Sequence, residues 1–134
     1  MNKQITILIL FLFVACSPAV PRNDASLSFS NNKHDFGTIS LKNEATFSFE
    51  FINHGKTPLV INEVKTSCGC TVPDWPKKPI KPGKKGEIKI KYDAAFPGVF
   101  HKTIEVFYNG KDSPQTLNIK GEVEYPDDLE ATIK

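Results

Sequence analysis

The chain has 134 residues, which is enough for one domain of ordinary size but not for two. A composition of 40% hydrophobic and 24% charged residues fits a soluble globular core and excludes wholesale disorder. The formal charge of +2 is too small for a dedicated nucleic-acid-binding protein, whose domain would be strongly basic. We therefore expect no nucleic-acid partner.

Residues 1–15 have the features of an export signal. Lys3 precedes an apolar run from Ile5 to Ala15, which only Thr6 interrupts. At about 1.5 Å per helical residue this run would span roughly half of a ~30 Å hydrocarbon core, so it is too short to cross a membrane. A basic start, an apolar middle and a small-residue end are typical of a secretory signal peptide that is removed.

Cys16 follows Ala15 directly, and this arrangement resembles the processing box of bacterial lipoproteins. In that box the cysteine becomes the acylated first residue of the mature chain. Phe13 departs from the pattern, which usually has Leu at this position. The sequence predicts lipid attachment at Cys16 and a membrane-anchored envelope lipoprotein, in the outer membrane or facing the periplasm. The alternative is ordinary cleavage near Ala15 and release into the periplasm.

A tether is predicted between the anchor and the folded domain. Residues 17–26 (SPAVPRNDAS) mix Pro, Ser, Ala and charged residues without hydrophobic periodicity. Together with Cys16 they form a predicted flexible tether over residues 16–26. At about 3.1 Å per residue, this tether could hold the domain up to ~30 Å from a membrane.

From Leu27 onward, apolar and polar residues alternate with a period of two, which is typical of β-strands. Phe47, Phe49 and Phe51 place three rings on one strand face. The alternation recurs at 88–92, 104–108 and 117–123, with shorter runs at 27–29, 35–39, 59–64 and 71–72. Turn signals separate these runs at 53–55, 81–83, 96–98 and 109–110.

About seven strands, mostly antiparallel, predict an all-β, immunoglobulin-like β-sandwich over residues 27–124. Residues 125–134 are then a C-terminal tail. A barrel with a similar number of strands is the structural alternative. The two remaining cysteines are only two positions apart, so no disulfide joins the sheets and the core rests on Phe, Ile, Val and Leu packing.

Several segments in this order resemble a known family. They are 34–39 (HDFGTI), 49–55 (FEFINHG), 58–61 (PLVI), 66–71 (TSCGCT) and 79–83 (PIKPG). The order resembles domain-of-unknown-function family 1573, which is common in envelope proteins of Bacteroidetes-type bacteria and related to immunoglobulin-like domains of the Hydin and major-sperm-protein type. The resemblance implies an immunoglobulin-like fold and an envelope location, and it implies no activity.

The Cys68-Gly69-Cys70 motif has three interpretations. Cysteines at i and i+2 of an extended strand lie about 6.5–7 Å apart, at the limit of disulfide reach, unless Gly69 bends the chain. A structural interpretation makes the motif a tight turn or bulge, with thiols that are free or paired in a labile bridge. The others are a redox pair, and a soft-metal site for copper or zinc that would need further ligands.

The segment 73–83 (PDWPKKPIKPG) has Pro at every third position, which predicts a stiff, polyproline-like course. Trp75, Lys77, Lys78 and Lys81 form a candidate interaction strip for a partner protein, an anionic glycan or lipid headgroups. The structural interpretation is a connection between the sheets. In it Trp75 covers one end of the core and the lysines keep the edge soluble.

The sequence contains no recognisable catalytic set. His34, His54 and His101 have no spacing diagnostic of a triad or a metal site. The Asp-Phe-Gly at 35–37 lacks the other kinase motifs, so Phe36 is better interpreted as a core residue and Gly37 as a bend or bulge. We expect no enzymatic activity and no cofactor.

Three functional hypotheses follow. The first is a lipid-anchored, non-catalytic binding or structural module, monomeric in isolation, whose partner is an envelope protein or a glycan. The second is a thiol- or metal-handling envelope protein that uses Cys68 and Cys70. The third is a glycan- or surface-binding module in which Trp75 and its neighbouring lysines make the contact.

Overall fold

The computed structural model describes residues 23–126, and the regular elements in this range are eight β-strands. They are β1 Leu27–Phe29, β2 Lys33–Ile39, β3 Ala45–Asn53, β4 Ile61–Thr66, β5 Thr71–Asp74, β6 Lys85–Tyr92, β7 Gly98–Tyr108 and β8 Gln115–Val123. Within residues 23–126 there is no helix with the length and hydropathy of a membrane span. The predicted signal peptide, Cys16 and all but the first residues of the predicted tail lie outside the described range.

The strands form two four-stranded sheets, which confirms the all-β prediction. One sheet has the order β1-β3-β6-β5 and the other β2-β8-β7-β4. Every pairing is antiparallel except that of β2 with β8, which is parallel. The eight strands agree with the expected number of about seven, and each alternating run predicted from the sequence overlaps one of them.

The core lies between the sheets and is built by the predicted alternation. Phe49 and Phe51 on β3 and Ile88 and Ile90 on β6 are fully buried, while the residues between them face solvent. Phe47, predicted to share this face, is only half-buried and packs at the edge of the core. Burial of each large apolar side chain contributes about 1.5–3 kcal/mol, so the packing needs no bond between the sheets.

The sandwich has two ends, which we call proximal and distal. The chain enters the described domain at the proximal end, where Leu27 pairs with Asn53 and Ile61 with Tyr108. This end carries the loops 54–60, 75–84 and 109–114. The distal end carries the turns 40–44, 67–70 and 93–97 and the segment 124–126. There Tyr92 pairs with both Ala45 and Thr71.

The chain just before β1 is hydrogen-bonded to the loop that follows β3. Residues 24–26, assigned to the flexible tether, belong to the domain, because the Lys56 N–H donates to the Asp24 carbonyl at 3.0 Å and the His54 N–H to the Ser26 carbonyl at 2.9 Å. Ala25 between them is buried. These contacts fix residues 24–26 to the loop that follows β3.

Candidate functional site

The Cys68-Gly69-Cys70 motif forms a disulfide-closed turn at the distal end, between β4 and β5. A bend at Gly69 brings the two Cα atoms to 5.3 Å, within disulfide range. The Thr66 hydroxyl donates to the Cys68 carbonyl at 2.9 Å, and the Asp93 N–H donates to the Cys70 carbonyl at 3.0 Å. The turn is thus fixed to both β4 and the β6–β7 connection.

This geometry argues against the metal interpretation of the motif. Sulfur atoms bonded to each other are not thiolates, and the thiolate is the form that binds metal or attacks a substrate. Within residues 23–126 no three His, Cys, Asp or Glu side chains gather as a metal site would require. The structure therefore matches the structural interpretation with a paired bridge, and it gives no support to the thiol- or metal-handling alternative.

The double variant Cys68→Ser, Cys70→Ser is expected to lower the free energy of unfolding by only about 1.5 kcal/mol, because a loop of three residues restricts the unfolded chain very little. Urea unfolding of the variant and of the wild type, with and without reductant, measures this. The reduced wild type should match the variant. A loss several times larger would mean that the bridge holds the sandwich together.

A second feature of the distal end is a group of exposed apolar side chains. Phe96 is 80% exposed, Val99 82% and Tyr125 57%. The Tyr125 hydroxyl lies 3.5 Å from the position that a Cβ on Gly98 would occupy, and Phe96 and Val99 stand two residues before and one residue after Gly98 in the chain. We call Phe96, Val99 and Tyr125 the distal apolar set.

The sequence interpretation missed the distal apolar set. It treated Phe96 as part of a Phe-Pro-Gly turn signal and assigned Tyr125 to the tail. The sequence did contain a signal for Phe96, because β-turn positions favour Gly, Pro, Asn, Asp and Ser, and phenylalanine is not among them. A phenylalanine directly before Pro97-Gly98 has no packing role that the turn requires.

The predicted interaction strip is only partly assembled. Trp75 is half-buried and packs against the core, while the Lys77 ammonium lies 3.0 Å from its ring centroid. Lys78 and Lys81 point into solvent. The predicted polyproline course also begins later than expected, because Pro73 is part of β5 and pairs with Ile90. β5 is an edge strand, where a missing N–H costs no ladder bond.

Two of the three histidines line an open groove of about 610 Å³ on the β2-β8-β7 face. His34 and His101 share it with Lys33, Asp35, Asn118 and Lys120. Asp35 orients neither imidazole, since it pairs with Lys120 at 3.2 Å and accepts the Gly37 N–H at 2.9 Å. His54 lies at the proximal end. No nucleophile, base and orienting group come together in this groove.

His34 is held by aromatic packing at the edge of the core. Its ring stacks on Phe47 with centroids 3.6 Å apart and meets the edge of Phe36 at 4.5 Å. Phe36 packs on the core, and Gly37, with a φ of 64°, sits in a bulge of β2, as both were interpreted.

Burial lowers the pKa of His34, and the nearby Asp35 carboxylate offsets this only in part. We expect an NMR titration to place the His34 midpoint below the ordinary imidazole value. Because the folded-state pKa is depressed, protonation opposes folding, so the stability contributed by this site is present above the unfolded pKa and falls as the pH drops below it. In His34→Gln that part of the pH dependence should vanish. A midpoint above the ordinary value would contradict the packing.

The sheet arrangement identifies the class of fold, and the comparison with known families then identifies the family. Two packed four-stranded sheets, with short loops gathered at each end, are the immunoglobulin-like sandwich expected from the sequence. The model of the DUF1573 family, described as a protein of unknown function, matches residues 27–123. The chain belongs to this family, so the resemblance noted in the sequence is confirmed.

Solved structures support the same fold. A protein of unknown function from Porphyromonas gingivalis W83 is similar with a TM-score of 0.67 and 20% identity, over 78% of this chain and 50% of that one. This chain therefore spans about half of the Porphyromonas protein. The PapD-like domain 7 of human CEP192 has a TM-score of 0.67 and 9% identity, over 95% and 100% of the two chains. No curated protein matches the chain.

Proposed function

We propose that the chain is a lipid-anchored module of the bacterial cell envelope that binds a partner protein at its distal end and catalyses no reaction. The anchor is Cys16, placed directly after an apolar export signal. The chain belongs to the family that the sequence resembles, and the envelope location that this resemblance implies supports the proposal.

The observation that carries the binding role is the distal apolar set. Exposed side chains as large as Phe96 are costly to leave in water, and an aromatic anchor surrounded by smaller apolar contacts is typical of protein-binding hot spots. The set lies at the end of the sandwich opposite the point where the chain enters. A partner in the periplasm can therefore reach it without meeting the anchor.

A protein partner fits these side chains better than a glycan. Sugar-binding sites need polar groups that converge on hydroxyls, usually beside a free aromatic face. The one tryptophan, Trp75, is packed against the core on one side and covered by Lys77. The distal apolar set, in contrast, offers two exposed aromatic side chains and an exposed valine.

The test is photo-crosslinking in cells. A photoreactive residue at position 96 or 99 is expected to trap one discrete protein adduct, identified by mass spectrometry. Matched positions 87 and 105 are also exposed but lie in the middle of strands, away from the distal end, and they should trap none. Equal adducts at all four positions, or none at 96 and 99, would overturn the proposed binding end.

A further inference from the structure

Charge is distributed unequally between the two ends of the sandwich. The proximal loops and residues 23–26 carry six lysines and two aspartates, while the distal turns and the segment 124–126 carry one lysine and three acidic residues. The proximal residues are Lys56, Lys77, Lys78, Lys81, Lys84, Lys111, Asp24 and Asp112, and the distal residues are Lys42, Glu44, Asp93 and Glu124. The proximal end is therefore basic and the distal end acidic.

Four of these lysines come from three different loops. Lys56, Lys81, Lys84 and Lys111 are exposed, and we call them the proximal lysines. The ion pairs among residues 23–126 use other lysines, namely Lys65, Lys91 and Lys120. The proximal lysines are thus not neutralised by a carboxylate of the described domain.

The backbone that carries these lysines is fixed by a buried asparagine. The Asn53 side-chain amide donates to the carbonyls of Thr57 and Ile80, each at 2.9 Å. Its backbone N–H donates to the Lys84 carbonyl at 3.0 Å, and its carbonyl accepts the Gly83 N–H at 2.7 Å. The loops 54–60 and 75–84 are therefore held together as one surface.

The chain enters the domain at this same end. Asn23 is seven residue steps after Cys16, and at 3.3–3.6 Å per step these span at most about 25 Å. A lipid at Cys16 would keep the proximal end within this distance of the bilayer. Attraction between exposed ammonium groups and an anionic membrane surface acts over a Debye length of about 8–10 Å.

We infer that the proximal lysines form a docking surface for anionic phospholipid headgroups, so that the module stands on the membrane with its distal end pointing away. The inference rests on the lipid anchor of the proposed function. Charge complementarity and the short reach from Cys16 to Asn23 together select a lipid surface over a soluble polyanion.

The test uses the whole chain after the predicted signal segment with Cys16→Ala, so that no acyl group contributes to binding. Co-sedimentation is measured with vesicles of phosphatidylglycerol and phosphatidylcholine, and with vesicles of phosphatidylcholine alone. We expect binding only to the anionic vesicles, and weaker binding at higher salt. Replacing the four proximal lysines by glutamine should reduce the affinity by about tenfold or more.

A matched control removes the same number of charges from other exposed positions. Its four substitutions are Lys33→Gln, Lys42→Gln, Lys65→Gln and Lys89→Gln. We expect this control to bind anionic vesicles within about twofold of the parent, since its proximal end is intact. Equal losses in both variants would mean that net charge alone drives binding, and they would overturn the docking surface.

Other results would also overturn it. These are equal binding to neutral vesicles, no binding to anionic vesicles at low salt, or competition by a soluble anionic polysaccharide at the same charge concentration. Because the probe lacks Cys16, these outcomes are independent of acylation. A failure of the lipid anchor would appear separately, as loss of fatty-acid labelling in the native chain.

Discussion

Asn53→Ala is expected to lower the free energy of unfolding by about 3–5 kcal/mol, because the buried amide satisfies several backbone groups at once. Its oxygen accepts the Gly55 N–H at 2.9 Å and the Ser26 N–H at 3.4 Å, and its nitrogen donates to the Thr57 carbonyl at 2.9 Å. Alanine leaves these groups without a partner in a site where Asn53 has no exposed surface.

Urea or thermal unfolding of the purified domain measures this effect. Asn43→Ala is the matched control, because Asn43 is exposed and only its backbone N–H is bonded, to the Ser40 carbonyl at 3.0 Å. The control should stay within about 0.5 kcal/mol of the parent. If both asparagines gave the same small change, Asn53 would not organise the proximal end.

The second large effect is expected for Gly86→Ala. Gly86 on β6 lies opposite Phe51, and a Cβ added there would stand 2.5 Å from the tip of the Phe51 ring. Phe51 is 1% exposed, so its ring has no open space to move into. Such overpacking costs about 1–3 kcal/mol, which we expect as a lower unfolding midpoint with an unchanged fold.

Gly69→Ala provides the comparison for this prediction. A Cβ at Gly69 meets nothing within 4 Å, and the residue has no positive φ that would require glycine. Its unfolding midpoint should therefore equal that of the parent protein. If Gly86→Ala were as stable as Gly69→Ala, the packing of Phe51 over β6 would be incorrect.

The strands could be predicted from sequence because each long strand buries only one face. The alternation of Ile88, Ile90 and Tyr92 with lysines identifies both a β-strand and the face of it that points into the core. Which strands pair with each other was harder to predict from the sequence. β2 lies parallel to β8, and this depends on contacts between segments more than seventy residues apart in the chain rather than on a local pattern.

The features that position the candidate sites were also harder to predict, because they depend on contacts that form only in the folded chain. Residues 24–26 have the composition of a tether. They are fixed by hydrogen bonds from the backbone of the loop 54–60, which the local sequence does not indicate. The Cys68–Cys70 bridge depends on a bend at Gly69 that the spacing permits but does not require. The distal apolar set gathers residues from the β6–β7 turn, β7 and the C-terminal segment, so only the fold brings them together.

The central claim is that the module is anchored through Cys16 and presents its distal end away from the membrane. Intact mass spectrometry of the native protein, extracted in detergent from the envelope of the producing cells, tests the anchor most directly. The account predicts a chain that begins at Cys16, carries acyl chains on it, and has two hydrogen atoms fewer than its reduced form. A chain that begins near Ala15 without a lipid would contradict the anchor and favour a protein released into the periplasm.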